Sequence, residues 1–335
     1  MYLARSLVKS SSKTSLTTLL TGILTFGVSV PGHAGYDDHP RTAEFIAEVE
    51  ADYQIPASEV KKWLAEANKM QSVLDAIARP AEGTMNWARY QDIFLTTKRI
   101  DEGKVFLQTH AKTLAEAEEK YGVPPEIITA IIGVETFYGT RQGSYRVLDS
   151  LSTLAFDYPK RPIFWRELKA LFELANEEGI DPGTVKGSYA GAMGYGQFIP
   201  TSYLAYAVDG DGDGHRDLWG NPVDAILSVA NYFKVHGWQS GKPVTQRVTV
   251  SGSAYEPLAN KTRKPELTVA DLEAAGVKLS QPVPASNPAT LVYLEGKEGD
   301  EYWLGEYNFF VITQYNHSRL YAMAVYQLSQ ALAKE

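Results

Sequence analysis

The spacing of apolar residues changes along the chain from a helical period to a strand period and back. Up to about residue 242 apolar positions recur every three or four residues, as in "NPVDAILSVANYFKVHGW" at 221–238, which is typical of helices with one buried side. From about 243, "PVTQRVTVSG" alternates with period two, and "ATLVYLEG" and "EYWLGEYNFFVIT" are typical of strands. "HSRLYAMAVYQLSQALAK" then returns to the helical period. We therefore predict an α+β protein, mainly α.

These changes of period, together with proline, glycine and capping signals, divide the chain into regions. We predict an N-terminal helical region at 35–85, a helical core at 86–242, a small β-rich domain at 243–310 and a C-terminal helix at 311–335 that packs back on the core.

Shorter signals place individual helices within these regions. Pro56 separates two helices near the N-terminus, and single helices are expected over 101–120 and 162–178. The segment 187–203 is too rich in glycine for a continuous helix, and we expect it to lead into a short helix near Pro200. One short capped helix is expected in "LTVADLEAAGV" before Gly276.

The first 34 residues differ from the rest of the chain and predict a removable export signal. Arg5, Lys9 and Lys13 precede the apolar, Thr-rich run "SLTTLLTGILTFGVSV", and small residues up to Ala34 suit a cleavage site. The alternative is an uncleaved membrane anchor, but the run is short for a spanning helix and rich in Thr and Ser. We expect a mature protein that is soluble outside the cytoplasm, without a membrane anchor.

Charge and cysteine content exclude several classes of function. The formal net charge is −8, and loss of the three basic residues of the signal makes it −11, which argues against nucleic acid as a partner. The absence of cysteine excludes a Cys nucleophile, a Cys-ligated zinc site, disulfides and a lipidated N-terminal cysteine. The six histidines form no HExxH pair, so zinc hydrolysis has little support.

One carboxylate interrupts the apolar run "IIGVETFYG" at 131–139. Ile128, Ile131, Ile132 and Glu135 fall at positions i, i+3, i+4 and i+7, so Glu135 lies on the buried stripe of a helix that begins near Pro125. Loss of hydration raises the pKa of such a carboxyl above its usual value and allows it to act as a general acid near neutral pH. A buried glutamate that only supports a neighbouring helix end is the alternative.

The segment "DGDGDGHRDLWGNPVD" at 209–224 has the spacing of a calcium loop. Asp209, Asp211 and Asp213 occupy positions 1, 3 and 5, Gly214 occupies the turn position 6, and His215 offers a backbone carbonyl at 7. Position 12 is Gly220, and Asp224 is the best substitute for the usual glutamate. We expect one weak structural Ca²⁺, with an Asp/Gly turn that binds nothing tightly as the alternative.

Aromatic residues cluster near the glycine-rich turns and near Ser188, Gln197 and Asn316. Flat rings beside amides and hydroxyls suit a groove for sugar rings. The aromatic candidates are Tyr90, Phe137, Tyr138, Tyr189, Tyr195, Phe198, Tyr232, Tyr315 and Tyr321.

Four motifs, in order along the chain, resemble the lytic murein transglycosylases of the B type. They are "GVETFYG", "KGSYAGAMGYGQFIPTSY", "DLWGNPVDAILSVANYFKVHGW" and "VITQYNHSRLYAMAVYQL", and the likeness runs from about Tyr90 to Gln327. The resemblance implies a lysozyme-like helical core with a flanking helical domain and a small β domain. It also implies cleavage, without water, of the β-1,4 bond between N-acetylmuramic acid and N-acetylglucosamine in periplasmic peptidoglycan of a Gram-negative bacterium.

The resemblance also assigns roles to individual residues. Glu135 matches the single catalytic acid and base, so catalysis needs no cofactor. The residues that match the glycan groove are Tyr90, Ser188, Tyr195, Gln197, Tyr232, Tyr315, Asn316 and Tyr321, to which the aromatic pattern adds Phe198. The EF-hand-like loop is matched by Asp209, Asp211, Asp213, His215 and Asp224.

Two alternative functions stay open from the sequence. Ordinary glycosidases need a second carboxylate, and the motifs around Glu135 contain no obvious partner, which favours a transglycosylase over a muramidase that uses water. A calcium-stabilised wall-binding protein without turnover is the second alternative. The expected partners are peptidoglycan glycan strands, with other cell-wall enzymes as further candidates, and a monomer is the default.

Overall fold

Helices dominate the structure, a computed structural model that describes residues 35–78, 85–158 and 160–334. The predicted export signal lies outside the described residues. Within the described part, no helix is both long enough and apolar enough to span a bilayer. The helices are Thr42–Tyr53 (α1), Ala57–Glu66 (α2), Gln71–Ala78 (α3), Trp87–Phe94 (α4), Thr97–Thr109 (α5), Ala111–Tyr121 (α6), Pro125–Thr136 (α7), Val147–Asp157 (α8), Ile163–Glu178 (α9), Pro200–Tyr206 (α10), Pro222–Val235 (α11), Val269–Ala274 (α12), Tyr307–Tyr315 (α13) and Arg319–Leu332 (α14).

The strands form two antiparallel sheets. A short pair, β1–β2, links the segment after α7 to the glycine-rich segment. The larger sheet has the order β4-β6-β7-β3-β5, with β6 and β7 joined as a hairpin in which Val292 lies opposite Trp303. The strands are Tyr145–Arg146 (β1), Lys186–Gly187 (β2), Thr245–Val250 (β3), Leu267–Thr268 (β4), Val277–Leu279 (β5), Pro288–Gly296 (β6) and Gly299–Gly305 (β7).

The larger sheet separates two apolar cores. Successive strand residues point to opposite faces. Ala289 and Leu291 in β6 belong to a small core with α12, whereas Val292 and Leu294 join the main core of the helices. The β-rich part is thus attached to the helical part through one face of its sheet.

Helix α7 lies at the centre of the helical part. It packs against α5, α6, α11 and α14, and every residue from Ile127 to Val134 is buried. Pro125 occupies the first helical position, where the missing backbone N–H costs nothing. The single apolar stripe inferred from the sequence is therefore part of a helix buried on all sides.

The predicted fold class is confirmed, because the structure is a mainly helical protein with an antiparallel sheet. The short helices predicted near Pro200 and before Gly276 are present, the latter with a capping box between Thr268 and Asp271. Residues from 35 onward form one compact unit, and the divisions at 85, 242 and 310 stay predictions.

Two predicted elements were wrong in part. The single helix expected over 101–120 is two helices that meet at His110. Its buried residues Phe106, Leu114 and Ala117 keep helical spacing across the junction, so the periodicity carries no sign of a break. The strand expected in "EYWLGEYNFFVIT" ends at Gly305, and α13 follows, because aromatic and β-branched side chains also suit a helix that is buried in a core.

Candidate active site

Glu135 is the penultimate residue of α7, and its side chain is partly exposed. The helix ends directly after it, because Phe137, Tyr138 and Gly139 all adopt left-handed backbone conformations, with φ of 51°, 60° and 82°. Glycine is required at 139, since a Cβ there would lie 2.0 Å from Cε1 of Tyr195. The carboxyl group is thereby held at a sharp helix end.

Tyr321 of α14 contacts the carboxyl group directly. Its hydroxyl donates a hydrogen bond of 2.6 Å to Glu135 Oε1, although the two residues are 186 positions apart. The Tyr321 side chain is only 2% exposed, and Ser318 caps the first turn of its helix. The buried phenol therefore fixes one oxygen of Glu135 in place.

Two stacked tyrosines connect Glu135 to the rest of the site. The rings of Tyr315 and Tyr321 are nearly parallel, 7° apart, with centroids separated by 6.4 Å. Burial raises the pKa of both phenols well above the usual tyrosine value, and the charge of Glu135 raises each further. Both hydroxyls therefore stay protonated and act as hydrogen-bond donors at neutral pH.

A cavity of about 420 Å³ lies beside Tyr315, and we call it the groove. It includes five residues that the sequence predicted for sugar binding. The sequence did not single out Ser202, Gln314 or His317, which lack a pattern that distinguishes them from ordinary polar residues. The groove is lined by Gln197, Phe198, Ile199, Ser202, Tyr232, Gln314, Tyr315, Asn316 and His317.

The polar groups of the groove residues are held by backbone atoms. The Tyr315 hydroxyl donates to the Gly196 carbonyl (2.6 Å), and the Tyr232 hydroxyl donates to the Gln314 carbonyl (2.7 Å). Burial raises the pKa of Tyr232 as well. Gln197 donates to the Gly194 carbonyl at 3.0 Å. These contacts orient the aromatic rings before any ligand arrives.

Four residues predicted for the same role lie outside the lining of the groove, namely Tyr321, described above, and Tyr90, Ser188 and Tyr195. Tyr90 is 1% exposed in the core, where its electrostatic interaction with Tyr321 raises the pKa of Tyr321. Ser188 Oγ accepts the backbone N–H of Ala192 at 3.0 Å, which shapes the glycine-rich turn. Tyr195 is half-buried, which raises its pKa. Their contact with a sugar remains a prediction.

Thr136 is a positioning residue that sequence reasoning missed. Its hydroxyl donates to the Tyr195 carbonyl (2.8 Å) and accepts the Gly139 N–H (2.9 Å). It therefore ties the end of α7 to the glycine-rich segment beside Glu135. A polar residue directly after Glu135 in an apolar run was the available signal.

The acidic loop brings three predicted metal ligands together. Carboxylate oxygens of Asp209, Asp211 and Asp213 lie within 4.8 Å of one another. Hard oxygen donors at this spacing fit Ca²⁺. The side chain of His215 is exposed and 3.8 Å from a Glu178 oxygen, which leaves its backbone carbonyl as the predicted ligand.

Asp224 is fully buried beneath this loop. Its two carboxylate oxygens accept backbone N–H groups from Gly210 (2.8 Å) and Asp217 (2.7 Å). Burial raises its pKa, and these two hydrogen bonds oppose the rise. Asp224 thus supports the loop backbone, while its role as a metal ligand stays a prediction.

Residues 37–330 match the family model described as "Transglycosylase SLT domain". The chain belongs to this transglycosylase family. It is 41% identical over 308 residues to the membrane-bound lytic murein transglycosylase B of Escherichia coli, covering 89% of this chain and 84% of the relative. The predicted B-type family, and with it the prediction of a peptidoglycan lytic transglycosylase, are confirmed.

Solved structures of family members share the fold. The catenated lytic transglycosylase SltB1 from Pseudomonas aeruginosa matches with a TM-score of 0.86 and 47% identity, over 89% of this chain and 98% of that one. The Escherichia coli lytic transglycosylase SLT35 in complex with calcium matches with a TM-score of 0.80 and 41% identity, over 89% of this chain and 94% of that one. SltB3 from Pseudomonas aeruginosa in complex with NAG-anhNAM-pentapeptide matches with a TM-score of 0.77 and 31% identity, over 87% of this chain and 78% of that one.

Proposed function

We propose that this transglycosylase cleaves the β-1,4 bond between N-acetylmuramic acid and N-acetylglucosamine and forms a 1,6-anhydromuramic acid end without water. Glu135 acts first as the acid and then as the base. The observation that carries the proposal is the 2.6 Å hydrogen bond from the buried Tyr321 to a carboxyl group at a sharp helix end. The SltB3 complex with an anhydromuramyl ligand supports the product.

In the first step, protonated Glu135 gives its proton to the oxygen that leaves C1 of muramic acid. The Tyr321 hydroxyl holds Oε1 of this carboxyl group in place. Positive charge develops at C1, and the carbonyl oxygen of the sugar's own N-acetyl group stabilises it. Asn316 in the groove, or Ser188, orients that N-acetyl group.

In the second step, the Glu135 carboxylate takes the proton from the C6 hydroxyl of the same sugar. The C6 oxygen attacks C1 and closes the anhydro ring, so the carboxyl group ends the cycle protonated again. One carboxyl group is enough, because the N-acetyl group replaces the nucleophile of ordinary retaining glycosidases and the C6 hydroxyl replaces water.

Mass spectrometry of the products tests the reaction. We expect anhydromuramyl products when the protein, lacking residues 1–34, digests purified peptidoglycan. Reducing-end products would show hydrolysis by a muramidase instead, and intact chains that merely bind the protein would favour a wall-binding role.

Replacement of Tyr321 by Phe should lower kcat by about 10- to 150-fold, with little change in KM. The variant loses the donor to Glu135 Oε1 but keeps the stacked ring, and a hydrogen bond to a charged group is worth roughly 1.5–3 kcal/mol. Steady-state kinetics on soluble glycan chains measures the effect. Tyr326→Phe in the same helix is the matched control, and an equal loss in both variants would contradict the positioning role.

We also propose that Asp209, Asp211, Asp213, the His215 carbonyl and Asp224 hold one structural Ca²⁺. The oxygen cluster and the calcium complex of SLT35 support this. When bound, the ion supplies charge neutralisation that stiffens the loop. No catalytic step passes through it.

Calcium should raise the melting temperature by a few degrees relative to EDTA. A Kd of roughly 10⁻⁴–10⁻³ M gives about 1.4–2.7 kcal/mol at 10 mM Ca²⁺. Activity at low temperature should survive EDTA, and Asp213→Asn should abolish the calcium response in differential scanning calorimetry. If the melting temperature of the wild-type protein is the same with calcium and with EDTA, the loop does not bind the ion.

We propose that the protein acts in the periplasm, where the peptidoglycan of a Gram-negative bacterium lies. The predicted export signal supports this location. Microscopy of a fluorescent fusion that tolerates the periplasm, with and without residues 1–34, tests it.

A further inference from the structure

Three basic residues lie together where the β-rich part meets the loop between α13 and α14, and we call them the basic cluster. Arg263 Nη1 donates to the His317 carbonyl, and Arg319 Nη2 donates to the Asn260 carbonyl, each at 2.8 Å. His317 also lines the groove, directly after Asn316. The basic cluster, which consists of Arg263, His317 and Arg319, is thus continuous with the groove.

The positive charges in the cluster repel one another. Burial lowers the pKa values of His317 and Arg319, and the charge of Arg263 lowers both further. Arg319 is also the first residue of α14, at the positive end of the helix dipole, where a cation is unfavourable. Its Nε is buried and has no hydrogen-bond partner. A negatively charged ligand bound at the cluster would therefore offset the repulsion between these basic side chains.

No carboxylate of the protein compensates this charge within the part of the chain that the structure describes. The ion pairs found there involve other basic residues, such as Arg216 with Glu177 and Lys169 with Glu48. The chain as a whole is acidic, with a formal net charge of −8. The cluster is therefore a local exception at the edge of the groove.

We propose that the basic cluster binds a carboxylate carried by the lactyl arm of the muramic acid in the groove. That carboxylate belongs to the stem peptide, or to the lactyl group itself where the stem is absent. The inference rests on the proposed function, because it takes muramic acid as the sugar that occupies the groove. Guanidinium groups bind carboxylates through short charge-assisted hydrogen bonds.

The chemistry of the sugar fits the order of the residues. Muramic acid carries its N-acetyl group on C2 and its lactyl arm on the adjacent C3. If Asn316 orients the N-acetyl group, the arm leaves the ring beside it, towards His317 and Arg263. One sugar ring can thus reach the groove and the basic cluster at the same time.

The test compares glycan chains that differ only in their carboxylates. The first substrate is uncrosslinked chains with intact stems, the second is the same chains with carboxylates converted to carboxamides, and the third is chains from which an amidase has removed the stems. Total bond cleavage is measured for the wild-type protein, Arg263→Gln and Arg263→Lys. Arg247→Gln removes an exposed guanidinium from the same sheet-bearing part and is the matched control.

We expect the wild-type protein to cleave intact chains at least about tenfold faster than carboxamide chains, as one charge-assisted hydrogen bond predicts. Arg263→Gln should cleave both equally slowly, Arg263→Lys should keep part of the preference, and Arg247→Gln should behave as wild type. On chains without stems, a wild-type advantage over Arg263→Gln identifies the lactyl carboxylate as the ligand. Loss of that advantage identifies the stem peptide.

Two results would overturn the inference. One is equal wild-type rates on intact and carboxamide chains. The other is an Arg263→Gln rate reduced by the same factor on both, as expected if Arg263 only attaches the β-rich part to the α13–α14 loop. Cleavage without anhydro products would contradict the proposed reaction but would leave the carboxylate preference measurable. If nothing is cleaved, cosedimentation of Glu135→Gln with the same chains, with and without Arg263→Gln, measures the preference as binding.

Discussion

Replacement of Glu135 by Gln is expected to lower kcat on peptidoglycan chains by at least about 10³-fold. General acid or base catalysis contributes roughly 10²–10⁴-fold, and here one group is needed for both steps. The amide has nearly the same shape as the carboxyl group, and its oxygen can still accept the Tyr321 hydroxyl. The melting temperature should therefore change by no more than about 2 °C, because no buried apolar contact is lost.

Glu126→Gln is the matched control for this variant. Glu126 lies in the first turn of the same helix, where a negative charge stabilises the helix dipole by only about 0.3–1 kcal/mol. It should keep nearly full activity. Anhydro-muropeptide release, measured by mass spectrometry in single-turnover conditions, compares the two. Glu135→Gln activity within tenfold of wild type would remove Glu135 from the role of acid and base.

Replacement of Asp224 by Ala is expected to have the largest effect on stability, about 2–3 kcal/mol in the presence of EDTA. The substitution removes a fully buried carboxylate and leaves the N–H groups of Gly210 and Asp217 without acceptors. Each unsatisfied buried donor costs about 1–3 kcal/mol, and partial access of water to these two loop residues limits the sum. Urea unfolding followed by circular dichroism measures the change.

Asp213→Ala provides the comparison within the same loop. Asp213 is exposed, and its carboxylate accepts the N–H of the nearby His215, so the change in EDTA should be below about 0.5 kcal/mol. Equal destabilisation by the two substitutions would show that Asp224 does not hold the loop through its buried hydrogen bonds. The comparison also separates the contribution of the loop scaffold from that of bound calcium.

The sequence predicted the elements whose signals are local. The spacing of Ile128, Ile131 and Glu135 located the central helix, and the Asp209–Asp213 spacing located the acidic loop. Several residues predicted for the glycan groove, among them Tyr232 and Asn316, line one cavity, and their contact with a sugar stays a prediction. For the helix and the acidic loop, the signal lies within a few residues of the feature that it predicts.

Features that depend on distant contacts could not be derived in this way. The hydrogen bond between Tyr321 and Glu135 joins two helices that are far apart in the chain. Neither segment indicates this pairing by itself. The break at His110 follows the course of α5 and α6 around α7 and has no proline or glycine to mark it. The helix that contains Phe309 is decided by burial, which overrides the strand preference of its residues.

The hydrogen bond from Tyr321 has a consequence for when the enzyme becomes active. A chain is synthesised from its N-terminus, so α7 exists long before α14 emerges. The donor to Glu135 arrives with the last helix, and Tyr315 arrives just before it. A nascent or truncated chain that lacks α14 therefore holds its carboxyl group without this partner. The proposed arrangement of acid and donor is therefore complete only when the last helix has been made and has packed against α7.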